Sequence, residues 1–344
     1  MTIALDAMGG DAAPAMVIRG ANIARQRYPD VDFLMFGREP EMTPILNQLG
    51  KLKAVTTIVH TDDVVRSDEK PSVALRAGRN SSMRLAINAV QEGRADGVVS
   101  AGNTGALMAM AKFVLKTMPG VDRPAIAAFF PTLRGETLML DLGANVTCDA
   151  RNLVDFAVMG NAFARCVVGV LQPTFGLLNV GSEELKGHEA LQEASAALRE
   201  ADLPGQFVGF VEGDDIAKGT VDVVITDGFT GNIALKTAEG TASLITEYMR
   251  RTFRSSLLAG IGYLLARSAM RKLRKRLDPR RYNGAIFLGL NGITVKSHGG
   301  TDALGFANAI GVAVDMKKYG IVERTRADFA ALMQRPPKAV PVTG

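Results

Sequence analysis

The chain has 344 residues, 47% apolar and 22% charged, a globular composition that excludes disorder and suffices for one large α/β domain or two ordinary ones. Its net charge of +5 is local. Eleven Lys/Arg and a single acid lie between Arg250 and Arg281, leaving 29 basic and 34 acidic residues elsewhere, which speaks against a general nucleic-acid binder with a broad basic face.

The N-terminal run MTIALDAMGGD has no basic n-region and no long apolar stretch; it reads as a first strand, not a signal peptide. A helix is expected from about Pro14 to Arg27, then strands at VDFLMFG and AVTTIVH. ADGVVSAGNTGALMAMAKFVLK reads as a strand, a Gly-Asn-Thr-Gly turn and an apolar helix. ETLMLDLGANVTCDARNLVDFAV, TFGLLNVGSEELKGHEALQEA and VDVVITDGFTGNIALKTAEG repeat that grammar. Short strands alternating with helices predict parallel βαβ units covered on both faces, a three-layer α/β/α Rossmann-like domain. With no Pro/Ser-rich linker, a single domain over 1–335 is expected, followed by a loose tail over 336–344. Cys148 and Cys166 have no metal-ligand spacing and fit a reduced, cytoplasmic protein with both thiols in or near the core.

Between about 240 and 282 the pattern predicts a helical excursion, read as a pair of helices. The twelve residues SSLLAGIGYLLA are too few to span a membrane, which takes about 20 apolar residues. Leu257, Leu258, Ile261, Leu264 and Leu265 at its tip are candidates to rest on a membrane, to gate entry to a site, or to pack in a dimer interface.

In parallel sheets ligands bind beyond the carboxyl ends of the strands. Five turns qualify: Asp6–Asp11, Ser100–Gly105, Asp141–Asn145, Asn179–Lys186 and Asp227–Asn232, all expected on one sheet edge. Their glycines let backbone amides approach a ligand, and helix N-termini add partial positive charge. Any one of them is equally explained as an ordinary turn or cap. No phosphate-binding P-loop, no dinucleotide fingerprint after a strand and no nucleophile elbow occurs. The three histidines, at 60, 188 and 298, are too dispersed for a metal cluster.

Three polar residues stand out. Lys186 lies near a helix start, where the macrodipole favours acids, and suits an anionic ligand there or a solvated surface. Asn232 either donates to an oxyanion or caps its helix. His298, in VKSHGGTD, is either structural or exposed to a pocket.

IALDAMGGD, SAGNTGALMA, DLGAN, LLNVGSEELKG, TDGFTGN and KSHGGTDALGF, running from about Thr2 to Tyr319, resemble the phosphate acyltransferases of bacterial phospholipid synthesis (PlsX). That family is similar to phosphate acetyltransferases and to the isocitrate/isopropylmalate dehydrogenase-like fold. The resemblance implies acyl transfer from acyl-[acyl-carrier-protein] to inorganic phosphate, giving acyl-phosphate that feeds glycerol-3-phosphate acylation. It also implies a homodimer, no redox cofactor, no metal, and association with the inner face of the cell membrane. Lys186 and Asn232 become the expected catalytic pair, with His298 orienting phosphate or protonating the leaving thiolate. Ser100, Gly102, Asn103 and Thr104 are expected at phosphate. Asp6, Gly9, Gly10, Asp11, Asn145, Asp227 and Gly231 complete the expected substrate site, the two aspartates organising it. Arg267, Arg271, Lys272, Arg274, Lys275 and Arg276 are expected to face the acidic carrier protein, anionic headgroups, or both. The alternatives are a phosphate acetyltransferase-like enzyme using acyl-coenzyme A and a non-enzymatic membrane-surface scaffold.

Overall fold

The apolar runs are short and rich in Val, Ile and Phe, side chains that pack well on a pleated sheet buried on both faces. In the computed structural model, which describes residues 1–276 and 278–333, eleven of them form strands. These are β1 (Thr2–Asp6), β2 (Asp32–Gly37), β3 (Thr56–His60), β4 (Gly97–Ser100), β5 (Ala125–Thr132), β6 (Gly135–Leu140), β7 (Thr174–Leu178), β8 (Gln206–Val211), β9 (Val223–Ile225), β10 (Ala285–Leu288) and β11 (Ile293–Lys296). The helices of the first half of the chain are α1 (Ala15–Arg27), α2 (Glu39–Asn47), α3 (Gly50–Lys53), α4 (Pro71–Ala77), α5 (Ser82–Gln91) and α6 (Thr104–Leu115). Those of the second half are α7 (Ala150–Phe163), α8 (Glu189–Glu200), α9 (Gly213–Lys218), α10 (Gly228–Phe253), α11 (Leu257–Leu265), α12 (Arg267–Arg276), α13 (Ala303–Lys318) and α14 (Ile321–Met333). The tail expected to be loose, 336–344, lies outside the described residues.

All eleven strands form one sheet in the order β3-β2-β1-β4-β11-β10-β5-β6-β9-β7-β8. Apolar side chains fill both faces. One core packs α1, α7, α8, α13 and α14 on the sheet, and the other packs α4, α5, α6, α9 and the start of α10 on the opposite face. The expected mostly parallel, three-layer α/β/α architecture is the one observed.

The expectation that all five turns share one edge is corrected. β3, β2, β1, β4 and β11 run parallel to one another, and so do β6, β9, β7 and β8. Between them β10 pairs antiparallel with both β11 and β5, and β5 pairs antiparallel with β6. Three consecutive reversals leave the two parallel halves running in opposite directions.

The register then decides where the carboxyl ends fall. Ser100 pairs with Lys296, and Lys296 with Ala285; Ile286 pairs with Ala127, Ala128 with Met139, and Met139 with Val224. The last residues of β4 and β11 thus share a rung with the penultimate residues of β6 and β9. Each half stops where the other stops, within about 3.3 Å along the strands, and the two sets of turns converge mid-sheet.

The helical excursion is longer than the sequence pattern implied. It comprises three helices, not two, and begins directly at the end of β9, because Asp227 caps α10 by accepting the Thr230 N–H (2.9 Å) and hydroxyl (2.7 Å). α10 has 26 residues, about 39 Å of helix, and only Gly228 and Gly231 in it are fully buried. α11 has no buried residue. The chain returns through Arg280, which bonds Asp278 (2.6 Å) and the α13 cap Asp302 (2.8 Å). Among the described residues no helix is long and apolar enough to cross a membrane.

α10 is seated by close backbone contact. A Cβ on Gly231 would enter the van der Waals shell of the Asp141 carbonyl oxygen, and one on Gly228 would lie 2.7 Å from the Asn145 carbonyl oxygen. Backbone atoms cannot yield as a side-chain end can. Gly231→Ala should therefore lower unfolding stability by about 3 kcal/mol despite its better helix propensity; urea unfolding measures it, and an unchanged midpoint would show that the contact is not tight.

Candidate active site

In the first half of the sheet, Asp6, Ser100 and Lys296 end β1, β4 and β11 side by side, on the face carrying α5 and α6. Asp6 is buried, accepting the Ser100 hydroxyl on Oδ2 and the Ser82 hydroxyl on Oδ1, both at 2.6 Å. Burial raises its carboxyl above the ordinary range, against the two hydroxyls. The Gly102 N–H donates to the Ser100 oxygen at 3.0 Å, so the serine is fully occupied in shaping the turn.

The turn is too crowded for side chains at its glycines. A Cβ on Gly9 would lie 2.6 Å from Asp6 Oδ2, and one on Gly102 equally close to the Met83 methyl; Gly10 takes φ +104°. Asn103 caps α6 by accepting the Ala106 N–H at 2.9 Å, and its Nδ2 donates to the Ser67 and Glu69 carbonyls. Of the residues expected at phosphate, Ser100 and Asn103 thus have their side chains committed to the protein. Thr104, in the first turn of α6, is exposed.

Asp11 and His298 flank this turn and are both exposed. The Asp11 N–H donates to the Gly299 carbonyl at 3.0 Å, and a Cβ on Gly300 would meet Asp11 Oδ2 at 3.3 Å. His298 is held by its N–H on Asn283 Oδ1 (2.9 Å), while its Nδ1 accepts the Gly300 N–H (3.1 Å). An accepting Nδ1 places the neutral ring's proton on Nε2, which is then available as donor.

The second half repeats the buried carboxylate. Asp141 follows β6 and accepts the N–H groups of Ile126 (2.8 Å), Ala144 (3.2 Å) and Asn145 (2.6 Å), plus Asn145 Nδ2 (3.0 Å). Asn145 also donates to the Pro124 carbonyl at 2.8 Å; it is buried and structural. Burial raises the Asp141 carboxyl too. Burial, followed by the charge of Asp141, pushes the Cys148 thiol up to about 12, which leaves it inert as a nucleophile.

Asn232 sits in the second turn of α10, exposed, with Nδ2 donating to the Leu142 carbonyl at 3.1 Å. One hydrogen of that amide is used and the other remains. Lys186 lies in the exposed loop after β7, the strand adjacent to β9. Its only ion pair among the described residues is a loose one with Glu183 at 3.9 Å, and Asn179 holds the loop by donating to the Lys186 carbonyl at 3.1 Å. Lys186, on the loop after β7, and Asn232, on the helix after β9, therefore follow neighbouring strands, without a hydrogen bond between them.

The excursion carries the remaining candidates. Leu257, Leu258 and Leu265 are more than 80% or nearly so exposed, at 89%, 80% and 83%, and Ile261 and Leu264 are exposed as well. Arg267, Arg271 and Lys272 are exposed on α12. Arg274, Lys275 and Arg276 belong to α12 by backbone, but their side chains lie outside what is described. Among the described residues no group of three metal-ligating side chains occurs.

Sequence reasoning did not name Ser82 or Lys296, and it named Asp141 only as the first residue of a candidate turn. Ser82 is brought to Asp6 from 76 residues away, which no local pattern reveals. Lys296 did leave a trace, since ITVK ends a fully buried strand on a cation.

The profile of the family described as "Fatty acid synthesis protein" matches residues 1–324. The phosphate acyltransferase of Rhodospirillum centenum is 67% identical over 96% of this chain and 93% of its own, and that of Rhodospirillum rubrum 57% identical over 98% and 96%. Solved structures share the fold. A branched-chain phosphotransacylase from Enterococcus faecalis aligns with a TM-score of 0.60 at 12% identity over 93% of this chain and 99% of its own. A phosphotransacetylase from Streptococcus pyogenes aligns at 0.59 and 19%, over 95% and 94%. A putative 4-hydroxythreonine-4-phosphate dehydrogenase from Salmonella typhimurium aligns at 0.52 and 15%, over 92% and 99%. The chain belongs to the phosphate acyltransferase (PlsX) family.

Proposed function

We propose that the protein transfers the acyl group of acyl-[acyl-carrier-protein] to inorganic phosphate at the mid-sheet junction. The observation that carries this reading is the convergence, from oppositely directed halves, of glycine-lined turns braced by buried carboxylates with exposed Thr104, His298, Lys186 and Asn232. A phosphate oxygen attacks the thioester carbonyl carbon, a C–O bond forms, the C–S bond breaks, and the carrier's thiolate leaves and takes a proton.

Phosphate is already largely dianionic at neutral pH, so the site needs position and charge more than a strong base. The Thr104 hydroxyl and the amides opening α6 hold phosphate at a helix N-terminus. The second Nδ2 hydrogen of Asn232 faces the developing oxyanion, and the Lys186 ammonium neutralises it or the phosphate. Removing one such donor typically costs about 2.7–4 kcal/mol of transition-state stabilisation. His298 Nε2–H hydrogen-bonds the leaving sulfur, and the proton that sulfur finally takes is the one hydrogenphosphate sheds as the acyl-phosphate forms. Asp6, Asp11, Asp141 and Asp227, whose charge an anion would repel, shape these turns without touching it, and Asn145 does so with its amide spent on Asp141 and Pro124.

The excursion serves delivery. The exposed cations of α12 suit an acidic carrier, and the α11 leucines suit the acyl boundary of a membrane at the inner face of the cell. Leu244, Ile245 and Tyr248, exposed midway along α10, suit a second copy of the chain. The acyl-phosphate product is then suited to a glycerol-3-phosphate acyltransferase working at the same membrane.

Lys186→Ala should lower kcat/KM for phosphate-dependent release of carrier protein by about a hundredfold or more while circular dichroism stays native; near-normal turnover in the folded variant removes Lys186 from the chemistry. Arg271→Glu should raise the KM for acyl-[acyl-carrier-protein], flatten its salt dependence and leave acyl-coenzyme A use unchanged. Equal effects on both donors would argue for the acyl-coenzyme A enzyme. Paired Leu257→Ser and Leu258→Ser substitutions should abolish flotation with anionic vesicles yet keep a two-chain sedimentation mass. A one-chain mass for the unsubstituted protein would remove the dimer, and unaltered flotation the membrane role of the tip.

A further inference from the structure

Lys296 is an unexpected residue at the end of a buried strand. It is only 9% exposed, and a buried cation is costly unless paired. Among the described residues it has no carboxylate within the 4.0 Å of an ion pair. Its ammonium instead donates to two backbone carbonyls, those of Ala101 (3.4 Å) and Ser297. Ala101 belongs to the turn that opens α6, and Ser297 to the turn that carries His298. Both turns follow strands of the first half at the junction, beside the Asp6–Asp11 turn.

We propose that Lys296 is a positioning residue of the phosphate site. It ties the β4–α6 turn to the β11–α13 turn, and it keeps behind them a positive charge for which bound phosphate is the counter-ion. The inference rests on the phosphate-using reading above and adds to it a residue that touches neither substrate.

The charged groups facing Lys296 agree with this role. Burial pulls its ammonium down to about 8, Asp6 on β1 and Asp11 in the following loop resist, and Lys236 on α10 adds to the depression by repulsion. Asp6 is itself engaged by Ser82 and Ser100, and Asp11 is exposed, so neither neutralises Lys296 at contact distance. Lys236 lies on α10 in the opposite half, one turn beyond Asn232, and is paired with Glu239 at 2.8 Å. A dianion between the halves relieves the repulsion between the two ammonium groups.

Linkage gives the test its sign. A Lys depressed to about 8 is charged below that pH and neutral above it, and an anion binds the charged form better. Inorganic phosphate itself titrates to the dianion near neutral pH, so the KM is expressed as dianion concentration; above about pH 8 that titration is nearly complete and cannot produce the expected rise. In the unsubstituted full-length chain, the KM for phosphate should rise above about pH 8, by up to about tenfold per pH unit, with kcat at saturating phosphate nearly constant. Lys296→Met should raise the KM about tenfold or more at pH 7 and abolish its pH dependence. Lys296→Arg, always charged, should restore a low KM that stays flat to about pH 9.5. Titration with inorganic phosphate followed by phosphorus NMR reads the same shifts without turnover. A flat phosphate affinity in the unsubstituted chain, or an unchanged affinity in folded Lys296→Met, overturns the proposal while leaving phosphate-dependent turnover intact. Absence of turnover with every acyl donor would instead overturn the reading of the function, and the NMR titration would still decide the role of Lys296.

Discussion

The arrangement of this protein depends on one reversal in its sheet. β10 lies antiparallel to both of its neighbours, and with the β5–β6 hairpin it turns the second parallel half against the first. In an ordinary doubly wound sheet the carboxyl ends share a single edge and a ligand lies across it. Here they meet in the middle from opposite directions. Turns of both halves can then enclose one ligand from two sides, and two parallel sets of helix N-termini point inward to it.

That geometry needs rigid turns, and both halves obtain them in the same way. Asp6 and Asp141 each follow a strand, are withdrawn from solvent, and are surrounded by hydrogen-bond donors. A carboxylate that collects several donors fixes the chain around it more firmly than any single cap. The glycines nearby follow from that crowding. Gly9, Gly102, Gly228 and Gly231 all sit where a Cβ would strike the carboxylates, the turn backbone or a packed methyl group.

The fold was readable from the sequence because its strands are short apolar runs punctuated by glycine, and because Asp149, Asp227 and Asp302 cap helices just where the periodicity changes. The reversal was not, since the βαβ rhythm of VVSAGNTG and VVITDGFTGN is the same whichever way the strand points. Direction is set by the pairing of β10, a contact between residues more than a hundred positions apart. The site was legible in part. LLNVGSEELKG and TDGFTGN marked Lys186 and Asn232 as residues beyond strand ends, where they are found. Ser100 and Asn103 read as ligand contacts because hydroxyls and amides are what phosphate needs, yet Asp6, Ser67 and Glu69 engage them first. Which polar side chain is left free depends on such long-range partners, and a motif does not carry them. The helix opening at TDGFTGN was read as well, with Ala234 and Leu235 against the core; that it runs unbroken to Phe253 and so starts the excursion was not.

β11, the strand that completes the first half, is contributed by residues 293–296, although the other strands of that half, β1, β2, β3 and β4, are all made within the first 100 residues. A chain emerging from the ribosome therefore makes its first half without β11 and without α13, whose apolar side chains belong to that core, and with an open edge on β4. That edge stays unpaired until nearly the whole polypeptide has been synthesised. Closing it requires β10 and β11 to insert together between β4 and β5, a pairing of high sequence separation and hence slow. The mid-sheet junction is assembled in the same event, so among the described residues the last two strands to be made, β10 and β11, are the ones that join the halves.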